Sequence, residues 1–146
     1  MHCGRGTASR LHSADPTALT DLENFSAAHP DLAGPLLNLG LARAKAGDES
    51  AAQDYFQRAT QVCTNCGPAW NELGVLGRRQ GRFADAEQAY LRAIELQPDY
   101  PAAYYNLAVL YELYLPRPEL ALEQYVRFRE LTAADASLAN VDKWIL

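Results

Sequence analysis

The sequence predicts an all-α protein built from stacked helix pairs, and three observations carry that expectation. One block of residues recurs along the 146-residue chain, with Leu39-Gly40 returning 34 positions later as Leu73-Gly74 and again as Leu107-Ala108. Each copy holds two stretches whose apolar and small residues fall three and four apart, the spacing of a single helix face. Proline and glycine punctuate the ends of those stretches.

The elements follow in chain order. Residues 1–15, from "MHCGRGTASRLHSAD", have no apolar stretch of the kind a signal peptide needs. They read as a disordered lead-in or the remnant of a processed segment. Residues 16–30 read as one helix, the second half of an incomplete repeat. Ala18, Leu22, Phe25 and Pro30 stand there at the offsets of Ala52, Phe56, Ala59 and Thr64.

Residues 33–66 form the first full copy, in which Gly47 ends one helix and Asp48 caps the next. Residues 67–100 form the second. Pro68 suits its first turn, Trp70, Leu73, Gly74 and Gly77 share a stripe, and Gly81 closes that helix. Phe83, Ala86, Tyr90, Ala93 and Ile94 then mark the buried face of its partner helix. Residues 101–134 form the third copy, which slips by one residue at "YLPRPEL" and so places Ala121, Tyr125 and Phe128. Residues 135–146 complete the set as a capping helix, with Asp135 at its start and Leu138, Val141 and Ile145 on one face beside Trp144. About eight helices result. Gly40, Gly74 and Ala108 are expected where only a small side chain lets the paired helix approach. Ala52, Ala86 and Ala121 answer from the other side, with Phe56, Tyr90 and Tyr125 beyond.

The second copy reads Trp70-x-x-Leu73-Gly74, then Ala86, Tyr90, Ala93 and Pro98, and it resembles the tetratricopeptide repeat (TPR) family. The first and third copies depart from it. Leu36 and Tyr104 replace the tryptophan, Arg43 and Gly77 take a position where Tyr111 keeps the usual tyrosine, and Thr64 replaces the proline. Phe128 stands where a small residue normally lets the next repeat dock, so the array is expected to stop there. The regular blocks look like those of bacterial members.

The resemblance implies a right-handed α-solenoid whose first helices line a concave groove for a peptide or helix of a partner protein. The family's groove positions fall on Leu37, Leu41, Ala44 and Lys45 in the first repeat. In the second they fall on Asn71, Val75, Arg78 and Arg79, and in the third on Tyr105, Val109, Glu112 and Leu113. Leu37 and Leu41 occupy the Lys and Asn positions of a known carboxylate clamp, so that clamp is absent. Apolar anchors with some acidic character would complement this lining and its basic cluster of Lys45, Arg78 and Arg79. Asn71 and Arg78 are expected to meet the ligand, because polar side chains gain little as core. Tyr105 and Tyr114 are the tyrosines expected to bind, and Tyr104 and Tyr111 those expected to pack. The Pro116-Arg117-Pro118 linker reads as loop variation.

Other function classes find less support. A net charge of −5 disfavours phosphate-backbone binding, and no apolar run is long enough to cross a bilayer. No Gly-rich phosphate loop, catalytic triad or converging carboxylate pair is present. The chain is therefore expected to be no enzyme and to need no cofactor or metal. Cys63-x-x-Cys66 admits an inert turn, a local disulfide or half a metal site with His29, taken in that order. Cys3 lacks the small aliphatic residues a lipidation site needs before it. The remaining alternative is architectural, a self-associating scaffold of a bacterial envelope assembly, dimerising through the apolar edge around Leu22 and Phe25. A cytoplasmic home or, after loss of a leader, a periplasmic one fits either role.

Overall fold

The computed structural model describes residues 15–134. Residues 1–14 of the expected lead-in and the expected capping helix at 135–146 lie outside the described residues. Those described form seven α-helices and no strand. The chain divides at Cys63/Thr64 into two units. Unit 1 holds α1 (Pro16–Ala28), α2 (Ala33–Lys45) and α3 (Glu49–Val62). Unit 2 holds α4 (Gly67–Arg79), α5 (Phe83–Leu96), α6 (Pro101–Leu113) and α7 (Pro118–Ala134).

Local chemistry explains the helix ends. Pro16, Pro68 and Pro101 sit in the first turns of α1, α4 and α6, where the missing N–H costs nothing. Asp15 caps α1 by accepting from the Thr17 N–H, and Asp48 caps α3 by accepting from Ala51, each at 3.1 Å. Gly47 and Gly81 adopt φ of 86° and 75°, the left-handed turn that only glycine takes cheaply. That turn lets Asp48 N–H reach Arg43 O at 2.9 Å and Arg82 N–H reach Gly77 O at 2.8 Å, closing α2 and α4 in the same way.

The third repeat has no glycine at this place, and among the described residues no non-glycine residue takes a positive φ. The chain there spends one more residue on the reversal. Leu115 N–H returns to Leu110 O at 2.8 Å and Arg117 N–H to Tyr111 O at 2.9 Å before Pro118 starts α7. The slip seen in the sequence is the absence of a glycine turn made visible.

Small residues decide how closely each pair packs. A Cβ built on Gly40 would run into the Phe56 ring, and one on Gly74 would stand 2.6 Å from Tyr90 Cδ1. Gly77 brings α4 onto the α5 backbone, with the Ala86 nitrogen 3.3 Å from where its Cβ would be. Phe56, Tyr90, Ala52 and Ala86 are wholly buried. In unit 2 the core gathers Ala86, Tyr90, Leu107, Leu110, Tyr111 and Ala121, with Val75, Phe83, Ile94, Leu115 and Leu120 around it.

The half-repeat helix α1 departs from the expected register. Ala18 is exposed and Phe25 is 48% exposed, whereas their offset equivalents Ala52 and Ala59 are buried; Ser26 is the buried residue of α1. Phenylalanine cannot fill a slot sized for the alanine methyl at Ala59, so the helix turns Ser26 inward and lays Phe25 beside His29, ring centroids 4.4 Å apart. An ion pair between Glu23 and Arg43 at 2.5 Å fastens α1 to α2.

Candidate binding faces

The expected lining residues separate into two sets, one in each unit. In unit 1, Leu41 is 41% exposed, Lys45 is exposed, and Leu37 and Ala44 are half-buried on α2. Leu37, Leu41 and Lys45 run along one side of α2, opposite the buried Leu36 and Leu39, and Ala44 lies beside them one turn after Gly40.

Unit 2 carries a more developed face. Tyr105 and Leu113 on α6 are exposed, Leu113 by 65%, and Val109 between them is half-buried. Their spacing of four residues puts all three on one side of the helix. Tyr105 is held from α7, with ring centroids 6.0 Å from Tyr125 and 5.3 Å from Phe128. Glu112, exposed beside them, accepts from the Tyr125 hydroxyl at 2.6 Å. Burial first, and then the Glu112 carboxylate, push the Tyr125 phenol well above its ordinary pKa.

Asn71 does not stand open to a ligand. It is 2% exposed, and its Oδ1 accepts from Asn106 Nδ2 at 2.9 Å. The pair fixes α4 against α6 and shapes the face from beneath. Glu72, next to it, is half-buried; burial raises its carboxyl pKa, and a hydrogen bond with Asn71 draws it down.

Arg78 is half-buried in the last turn of α4, with its guanidinium carbon 5.8 Å from the Tyr114 ring centroid. Tyr114 in turn stacks on Phe83 at 4.9 Å. Arg79, its neighbour, is exposed, and Val75 one turn back is half-buried against the core. Of the other tyrosines, Tyr104 and Tyr111 are buried, and the Tyr104 hydroxyl donates to Pro98 O at 2.8 Å. Arg117 of the proline-flanked linker pairs with Glu87 at 2.9 Å and lies 5.7 Å from the Tyr111 ring. Burial, reinforced by Glu87, pushes Tyr111 up to about 12. This linker arginine is therefore spent on structure.

Sequence reasoning singled out Tyr105, Glu112 and Asn71 but missed the residues that hold them: Tyr125 and Phe128 for the first two, and Asn106 for the third. The one signal for Tyr125 was its alignment with Tyr90 after the slip. Cys63 and Cys66, in the connecting turn, are joined as a disulfide, the second of the three readings for that pair. No group of His, Cys, Asp or Glu able to hold a metal occurs among the described residues, and no helix among them is long and apolar enough to cross a membrane.

Comparison with known proteins agrees with this architecture. A family model described as TPR repeat matches residues 77–113. The peroxisomal targeting signal receptor of Saccharomyces cerevisiae is 37% identical over 86 residues, covering 59% of this chain and 14% of that protein. Human tetratricopeptide repeat protein 7B is 28% identical over 103 residues, 70% of this chain and 12% of that one. The chain thus spans about a seventh of the length of these relatives. A crystal structure of MamA superposes with a TM-score of 0.73 at 24% identity, over 89% of this chain and 76% of that one, a likeness of fold. With the recurring glycine-on-ring packing and the helix pairs already described, the family match shows that the chain carries tetratricopeptide repeats.

Proposed function

We propose that the chain is a protein-binding adaptor, not a catalyst, and that the α6 side of unit 2 docks a segment of a partner protein. The single observation behind this reading is the strip Tyr105–Val109–Leu113, with Tyr105 and Leu113 exposed and Val109 half-buried between them, on a helix whose opposite side is core. Water-exposed aromatic and aliphatic groups at a four-residue spacing offer the anchors that an apolar peptide or helix face requires. Arg78, beside the strip, favours a ligand with acidic character. The likeness to a receptor that by its name binds a peroxisomal targeting signal supports a recognition role of this kind.

The test uses peptides selected from a random display library on the full chain. Replacing Tyr105 and Leu113 together by serine is expected to weaken selected peptides at least tenfold, about 1.4 kcal/mol or more, and Leu113→Ser alone, which removes a 65% exposed side chain, to weaken them with unfolding unchanged. Undiminished binding by the double variant would remove the face from consideration.

A second reading, self-association through α1, rests on the 48% exposure of Phe25. Sedimentation across a hundredfold range of concentration is expected to find an assembly that Phe25→Ser disperses if this reading holds. A single monomeric species at every concentration ends it.

A further inference from the structure

The second and third repeats place different chemistry at one pair of positions. In the third, Glu112 on α6 faces Tyr125 on α7, and the hydroxyl donates to the carboxylate at 2.6 Å. The offsets already described put Arg78 and Tyr90 at the same two places in the second repeat, and Ala44 and Phe56 in the first. Phe56 and Tyr90 do the same packing work, each ring wholly buried against a glycine, Gly40 or Gly74. The Tyr90 hydroxyl is therefore an addition that packing does not require.

Arginine cannot do for Tyr90 what Glu112 does for Tyr125. A guanidinium only donates, so the phenolic proton facing it needs an acceptor from elsewhere. Neither Tyr90 Oη nor Arg78 Nε has a hydrogen-bond partner among the described residues, and both atoms are buried. The nearby carboxylate of Glu72 engages Asn71, and no described acid forms an ion pair with Arg78. Tyr114 covers the guanidinium from the α6 side. The phenol oxygen lies close enough to the guanidinium to accept from it, but the phenol proton and the buried Arg78 Nε–H are left without an acceptor, which is costly.

We infer that the Arg78–Tyr90 pair is the subsite for a glutamate or aspartate side chain of the docked segment, an inference that rests on the docking role proposed for this face. A carboxylate would take the guanidinium N–H and the phenol O–H together, both as charge-assisted bonds. The donors lie below the helix surface, so the acceptor must arrive on a narrow stem. One or two methylenes provide that, whereas a chain terminus carries its own Cα substituents directly beside the carboxylate.

The probe is N-acetyl-glutamate N-methylamide, followed through the Nε–Hε resonance of Arg78 in the full chain. Saturable movement of that resonance is expected. The glutamine analogue and N-acetyl-leucine, whose carboxylate is a chain terminus, are expected to leave it in place. Tyr90→Phe should weaken the glutamate probe about tenfold without lowering the melting temperature, since Phe56 shows that the bare ring packs at the equivalent position. A silent resonance, an equal response to either control compound, or undiminished affinity in Tyr90→Phe overturns the assignment. Should library peptides still depend on Tyr105 and Leu113 while Arg78 stays silent, the docking face stands and this subsite alone falls.

Discussion

Tyr90→Ala is expected to destabilise unit 2 by about 3–5 kcal/mol, the range for removing a large ring from a closed core. Tyr90 is wholly buried and lies in one cluster with Ala86, Leu107, Leu110, Tyr111 and Ala121. Its ring fills the space that Gly74 leaves, and no larger neighbour is placed to slide into the vacancy. Urea unfolding supplies the magnitude, and amide exchange in residues 67–134 locates it. Tyr90→Phe separates ring from hydroxyl. It should leave stability unchanged or raise it by up to about 1 kcal/mol, because a buried hydroxyl without a partner subtracts from stability. Equal losses from the two variants would mean that the hydroxyl, not the ring, holds the repeat together.

Much of this architecture was legible because its determinants are local or recur. Gly47 and Gly81 announce their helix ends through a backbone conformation that few residues adopt, and Asp48 announces a start through its side-chain acceptor. The 34-residue offset correctly matched Gly40 with Gly74 and Phe56 with Tyr90, since a ring can lie that close only where no Cβ intervenes. The same offset carries less of the burial pattern at α1. It aligned Phe25 with the buried Ala59, whereas Phe25 is exposed, as the apolar edge expected there requires, and Ser26 is the residue turned inward. A benzyl group in a methyl-sized slot rotates the helix until Ser26 faces inward.

The binding face was legible in part. Tyr105 and Leu113 could be placed on the open side of a helix from periodicity alone, and the structure leaves both exposed. Asn71 was expected to meet a ligand on the ground that a polar side chain gains little from burial. That reasoning omitted a second amide. Once Asn106 from α6 satisfies it at 2.9 Å, the asparagine can be 2% exposed at little cost. Pairings between residues far apart in the chain, such as Asn71 with Asn106 or Tyr125 with Glu112, leave no periodic trace in a single sequence.

Gly74→Val is expected to cost about 3 kcal/mol, the upper part of the range for overpacking a closed core. Valine gains little over glycine in intrinsic helix preference, so the collision dominates. Its Cβ would stand 2.6 Å from Tyr90 Cδ1 and 2.9 Å from Cζ, well inside van der Waals contact. The ring cannot withdraw, because it is wholly buried and its far side belongs to the same core as Leu107 and Leu110. Gly34→Ala serves as the control. A Cβ there meets nothing within 4 Å, and the position lies in α2, so stability should hold or rise slightly. Combining Gly74→Ala with Tyr90→Leu isolates the cause, since shortening the ring vacates the space the new methyl needs. The double variant should lose clearly less than the sum of the two single losses, a coupling that equilibrium unfolding resolves. Strictly additive losses would mean that glycine and ring do not share the space in which the paired helices meet, and the close packing attributed to every repeat would need another origin.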